Sequence, residues 1–207
     1  MTNNKHKVFI CYHHANDQDY KEALLQLNEF HGLFIDASVD TGDIDENLDD
    51  DVIRQKIRDD YLKDSTVTIV LVGVETKNRK HVDWEIYSSM FNGKVNKQSG
   101  VLVINLPSTA DTTTYRAAHG DDEKRTIYPE NSSWTSITSR TEYEKRYPYV
   151  PARIIDNLLK NSAKVSVANW DKVTGDIEKL RFLINTTFDD RTQCEYDLSS
   201  PMRRANS

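Results

Sequence analysis

Cysteine is scarce in this chain: of 207 residues only Cys11 and Cys194 carry a thiol, near opposite ends and without CxxC spacing. Cys11 moreover lies inside the apolar run VFICY. No disulfide framework is expected from such a pair, and two reduced thiols point to a cytoplasmic protein. Long apolar runs are missing too. Nothing approaches the ~20 residues of a membrane span, and MTNNKHK leads into a strand-like segment without the apolar stretch of a signal peptide. Neither secretion nor membrane insertion is expected, so NSS at Asn131 and NTT at Asn185 read as chance matches to the glycosylation pattern. An excess of positive charge is also absent. The net charge is −6 and the pI about 5.5, and the basic clusters NRKH and EKRYP are short and mixed with acids. Such a chain repels a polyanion, which excludes nucleic acid as the expected partner.

Glycine is lacking where phosphate chemistry needs it. VFICYHHAND holds none, and neither GxxxxGK[ST] nor GxGxxG follows the first strand-like run, which excludes a P-loop NTPase and a Rossmann dehydrogenase. No GxSxG elbow supports a hydrolase triad. The acidic run beginning at Asp43 has Leu48 where a calcium loop needs glycine and Arg54 where it needs glutamate. Those acids read instead as the start of a helix, favoured by its dipole, and a solvated face. His13 and His14 are adjacent and point to opposite sides of an extended segment, with no partner at helical spacing. No metal site is expected.

What remains is a regular alternation. KVFICY (7–12) reads as a strand, and DQDYKEALLQLNEF (17–30) as an amphipathic helix. LFIDASV (33–39) is a second strand, followed by a helix over 46–62 with Leu48, Val52, Ile53, Ile57 and Tyr61 on one face. STVTIVLVGV (65–74) and GVLVINLP (100–107) are continuous apolar runs, as in strands buried on both faces of a parallel sheet. A helix over 82–91 separates them. PARIIDNLLKNS (151–162), KVSVANW (164–170) and GDIEKLRFLINTTF (175–188) then give helix, strand and helix. The order predicts an α/β, flavodoxin-like open parallel sheet with helices on both faces and a long insertion after the fourth strand. It forms one domain over 1–190, with the insertion at 108–150 and a frayed C-terminal tail at 191–207. So long a connection is rarely idle, and Tyr128, Trp134, Tyr143, Tyr147 and Tyr149 predict that part of it docks on the body. Its place after the fourth strand predicts that it borders the ligand side of the sheet.

Ligands of such sheets bind beyond the carboxyl ends of the strands. That rule selects Tyr12, His13, His14, Asn16 and Asp17 after the first strand, Asp36, Ser38 and Asp40 after the second, and Gly73, Glu75 and the approach to Glu85 after the third. A receiver domain would need a phosphoacceptor aspartate after the third strand, where the chain reads LVGVETK.

KVFICYHHAND, LFIDASVDTGD and STVTIVLVGVETKNRKHVDWEI, in that order, resemble the TIR-like domains of prokaryotes, and most closely those of the Thoeris anti-phage defence system. The likeness covers about residues 5–106 by motif and extends through YVPARIIDNLL. It implies that Glu85 is the glutamate required for cleaving NAD+, which is a substrate and not a cofactor. It further implies that Cys11, Tyr12, His13, Asp36, Ser38 and Trp84 line the substrate. Cys11 stands where a serine is usual, and Trp84 and Tyr12 compete as the ring that stacks on nicotinamide. In Thoeris the resemblance implies a cyclic ADP-ribose isomer, a diffusible signal that activates an effector NADase after a phage-derived trigger. Two other functions fit the same fold: a TIR module acting through protein contacts alone, and a nucleoside deoxyribosyltransferase-like hydrolase.

Overall fold

Alternate residues of the first strand enter different cores. Phe9 and Cys11 point to one side of the sheet and Val8 and Ile10 to the other, as the two-residue period of an extended chain requires. This holds in the computed structural model of the chain, which describes residues 5–38, 48–62, 64–110 and 113–206. The strands are β1 (Lys7–Cys11), β2 (Ile35–Asp36), β3 (Val67–Val72), β4 (Gly100–Asn105) and β5 (Ser166–Asn169). Among the described residues they form one parallel sheet of order β2-β1-β3-β4-β5. Every residue of β3 and β4 is buried, the pattern that a sheet covered on both faces demands.

The helices are α1 (His14–His31), α2 (Asp50–Lys56), α3 (Lys80–Met90), α4 (Asp121–Ile127), α5 (Arg140–Arg146), α6 (Ala152–Leu158), α7 (Trp170–Thr174) and α8 (Ile177–Asp190). Helix α2 runs on as a wider π-type turn through Ile57–Leu62. Leu24 of α1, Ile127 of α4 and Leu180, Leu183 and Ile184 of α8 fill the core on the Val8 side. Ile53, Val82, Trp84, Ile86, Ile154 and Ile155 fill the core on the Phe9 side, beneath α2, α3 and α6. Helix α1 begins earlier than its apolar spacing predicts because His13 caps it, its Nδ1 accepting from the Asn16 amide at 3.0 Å. It ends at Gly32, whose left-handed backbone (φ +59°) turns its N–H onto the Asn28 carbonyl.

The insertion docks as its aromatic content predicts. Tyr128, Tyr143 and Tyr147 are buried, and α4 and α5 give the segment helices that its sparse aliphatic residues did not reveal. Arg116 and Val167 exchange two backbone hydrogen bonds of 2.9 Å, so the insertion shields the outer edge of β5.

The tail does not fray. The Tyr196 hydroxyl donates to the Ser99 carbonyl at 3.0 Å. The Asn157 amide grips the backbone of Asp197 in both directions, at 2.7 and 3.1 Å, and Met202 is buried. The expectation failed because side chains of α3 and α6 satisfy the tail's backbone, and this leaves no periodicity to detect in the tail itself.

Candidate functional site

Three consecutive residues of α3 turn in three directions. Asp83 faces α6, where Arg153 grips it with two hydrogen bonds of 2.8 and 3.0 Å. Its Oδ2 also accepts from the Arg203 amide at 2.9 Å. Trp84 faces the tail and donates its indole N–H to the Arg203 carbonyl at 2.7 Å. Glu85 alone faces the end of β1, where its carboxyl lies beside the Cys11 thiol, which itself donates to the Val82 carbonyl at 3.8 Å. Helical spacing produces this split, because each residue advances the side chain by about a hundred degrees. Asp83 is therefore a structural acid in an ion pair, and Glu85 is an acid held at the strand ends.

Only 3 % of Glu85 is exposed. Burial raises its pKa to about 8, against the lowering effects of the Cys11 thiol and the Lys21 charge. Desolvation outweighs both because the charged form loses its water and gains no full ion pair. The Cys11 thiol is pushed up well above its ordinary value, first by burial and then by Glu85 and Asp83. It is a neutral hydrogen-bond partner rather than a nucleophile.

Around this pair stands a polar rim. His13 accepts at Nδ1, so its neutral ring carries the proton on Nε2. Burial and then the Arg79 charge lower its pKa. Asp17, on the first turn of α1, is buried against Gly73 at the end of β3. A Cβ on that glycine would lie 2.4 Å from Asp17 Oδ1. Thr76 joins the two, accepting from the Gly73 amide at 2.8 Å and donating to Asp17 Oδ2 at 3.4 Å. Burial raises the Asp17 pKa more than Thr76 lowers it. The Arg79 Nε has no hydrogen-bond partner. Sequence reasoning passed over Arg79, Lys21 and Thr76. Their signal was position alone, beside the strand ends already marked as the ligand side.

The remaining candidates divide. Tyr12 is on the rim but enclosed. Its ring stacks on His14 with centroids 4.4 Å apart, the Lys21 ammonium lies 5.2 Å from its centroid, and its hydroxyl donates to Gln18. Trp84 is 1 % exposed, packed in the core that also holds Phe9 and Cys11 with its N–H on the tail, so it presents no open ring face. Asp36 accepts from the Ser38 amide at 2.9 Å, and Ser38 Oγ accepts from the Ile10 amide at 3.1 Å, so both work at the β1–β2 edge. Asp40 and the acids at 43–46 lie outside the described residues. Glu75 accepts from Asn78 at 3.3 Å. Among the described residues no three His, Cys, Asp or Glu side chains gather as metal ligands do.

The insertion reaches this rim at one end. Lys77, in the turn after β3, donates to the Pro148 carbonyl at 2.6 Å, with its ammonium 5.8 Å from the Tyr149 ring centroid. Farther along, Tyr143, Tyr147 and Val150 pack into the core on the Phe9 side, and Arg116 pairs with β5.

Residues 9–111 match the family model described as Thoeris protein ThsB, TIR-like domain. The chain belongs to this family. Comparison with curated proteins returned no match. The matched segment of this TIR-like domain contains Cys11, Tyr12, His13, Asp36, Ser38, Trp84 and Glu85, and it ends where the insertion leaves β4. Among the described residues no helix is long and apolar enough to cross a membrane.

Proposed function

We propose that this Thoeris TIR-like protein cleaves NAD+ at the bond between nicotinamide and ribose, with Glu85 as its catalytic residue, and closes the product into a cyclic ADP-ribose isomer. The observation that carries the reading is the buried Glu85 carboxyl beside Cys11 at the strand ends, held near pKa 8. In this reaction the bond from ribose C1′ to the ring nitrogen breaks and its electron pair stays on the nitrogen. Nicotinamide leaves neutral and needs no proton. The positive charge passes to an oxocarbenium-like ribose, so one carboxylate suffices, unlike the acid and base pair of ordinary glycosidases.

Glu85 enters the reaction protonated at neutral pH. The arriving cationic ring lowers its pKa, as any nearby positive charge does; its proton passes to solvent before the seam closes, and the carboxylate so formed faces the developing cation. Such preorganised stabilisation is strongest where the dielectric is low. A nucleophilic atom of the bound ADP-ribose then attacks C1′ and loses its proton, which gives the cyclic isomer; attack by water would give ADP-ribose. Arg79 and Lys21 supply positive charge near the strand ends for the pyrophosphate.

The near closure of Glu85 supports an enzyme that idles until a phage-derived trigger opens the seam between β1 and α3. The signal then diffuses to an effector NADase in the same cytoplasm. The test incubates pure protein, with and without lysate from phage-infected cells, with NAD+ and separates the products. The expected result is a cyclic isomer made by the wild type and not by Glu85→Gln. If triggered wild type leaves NAD+ intact while still binding a protein partner, the interaction-module reading replaces this one.

A further inference from the structure

A cleft of about 470 Å³ lies within the insertion, beside the antiparallel pairing of Arg116 with Val167, and Glu85 is not among its lining residues. Its volume falls in the ~300–1,000 Å³ range of small-molecule sites. Two guanidinium groups line it, and neither meets a carboxylate among the described residues. Arg116 spends Nε on the Tyr143 hydroxyl at 3.3 Å and Nη1 on the Val165 carbonyl at 2.6 Å. The Nε of Arg146 is buried without a hydrogen-bond partner. Arg125, Arg140, Arg153 and Arg181, by contrast, each pair with an acid. In a chain of net charge −6, two arginines without counter-ions in one cleft are a standing demand for an anion.

Two further groups specify what kind of anion. Tyr147 also lines the cleft, and its hydroxyl is buried beside the Arg146 guanidinium, on a residue 98 % buried, with no partner of hydrogen-bond geometry among the described residues. It is a donor waiting for an oxygen. Trp134 stands at the same cleft with 37 % of its surface open. Its ring is fixed at steep angles to Tyr115 and Tyr128, with centroids 5.7 and 5.8 Å away. A braced, partly open indole beside cationic groups is how proteins hold a nucleobase next to its phosphate.

We propose that this cleft is a binding site for a mononucleotide-sized organic phosphate, separate from Glu85. The phosphate sits on Arg116, Arg146 and the Tyr147 hydroxyl, and the base rests on Trp134. An acidic peptide would use the same charges but would gain nothing from the indole.

The experiment measures binding to the full chain by calorimetry, with AMP, adenosine, inorganic phosphate and a hexaglutamate peptide as probes. AMP is expected to bind about tenfold or more tighter than adenosine or phosphate alone, since both halves are engaged. Arg146→Gln is expected to weaken AMP about tenfold or more. Trp134→Ala, a change at a partly open position that leaves the core intact, is expected to reduce AMP to the affinity of phosphate. Glu85→Gln is expected to bind AMP as the wild type does. The proposal is overturned by the absence of saturable AMP binding, by unchanged AMP affinity in both cleft variants, by loss of AMP binding in Glu85→Gln, or by hexaglutamate binding at least as tightly as AMP. Thermal unfolding of each variant separates lost binding from lost fold. If Arg146→Gln is unfolded, Trp134→Ala decides alone.

Discussion

Glu85 lies beside Cys11 where the last residue of β1 meets the middle of α3, while the Cys11 thiol donates to the Val82 carbonyl at 3.8 Å. The contact joins an acid that burial keeps protonated at neutral pH to a thiol that burial keeps from ionising. Neither group is reactive at rest, and each is placed for a ligand that brings its own charge.

Glu85→Gln is expected to fold and to lose NAD+ cleavage by roughly a hundredfold or more, the scale for removing one preorganised electrostatic group. Glutamine suits a helix interior and fills nearly the same volume beside Cys11. Product analysis after incubation with NAD+ reads the effect. Wild-type rates in the variant would take the carboxylate out of the mechanism.

The raised pKa also fixes a pH dependence of stability. Between an ordinary glutamate value near 4.5 and about 8, the folded chain holds a proton at Glu85 that the unfolded chain has released. Stability from this group is thus fully present below about 4.5 and is lost as pH rises through about 8, with a slope of at most about 1.4 kcal/mol per pH unit. Denaturant unfolding from pH 5 to 9 should show that this decline is shallower in Glu85→Gln. Parallel profiles for the two proteins would contradict the burial of the charge.

Trp84→Phe separates a structural indole from one that stacks on substrate. It removes the N–H bond to the Arg203 carbonyl and is expected to cost about 1–3 kcal/mol, since a buried acceptor loses its donor. The unfolding midpoint should fall while KM for NAD+ stays at its wild-type value. A raised KM with unchanged stability would put the ring back in the substrate site.

Gly100→Ala tests the packing of α8 on the sheet. A Cβ at this first residue of β4 would stand 2.2 Å from the Thr187 carbonyl oxygen, which is backbone and cannot rotate aside. The helix must move, and overpacking of this kind costs about 1–3 kcal/mol or more. Thermal unfolding measures it, and a neutral result would mean that α8 sits farther from β4.

The long apolar runs made the sheet legible from the sequence, because β3 and β4 are buried on both faces and need no periodicity to declare themselves. Topology then marked the ligand side, and Glu85 and His13 do stand there. The place of Trp84 was not legible because its partner is a carbonyl 119 residues away, which no local pattern encodes. β2 shrank to Ile35–Asp36 because Leu33 and Phe34 bury their side chains without pairing in the sheet. Helices α4 and α5 carry few aliphatic residues and left only an aromatic count as a trace. The arginines of the cleft became visible only in three dimensions, where Arg116 and Arg146 meet beside Trp134.

The docked tail has a consequence for the order in which the molecule is made. Helix α3 leaves the ribosome with Trp84 unanswered and Asp83 awaiting Arg153, because Ser200, Pro201 and Arg203, which complete the network around them, are still more than a hundred residues from synthesis. Throughout that interval the nascent chain carries the Glu85 helix in a loosened setting, and only the arrival of the 196–206 segment locks it. Maturation of the candidate active site is thereby timed by the far end of the same polypeptide.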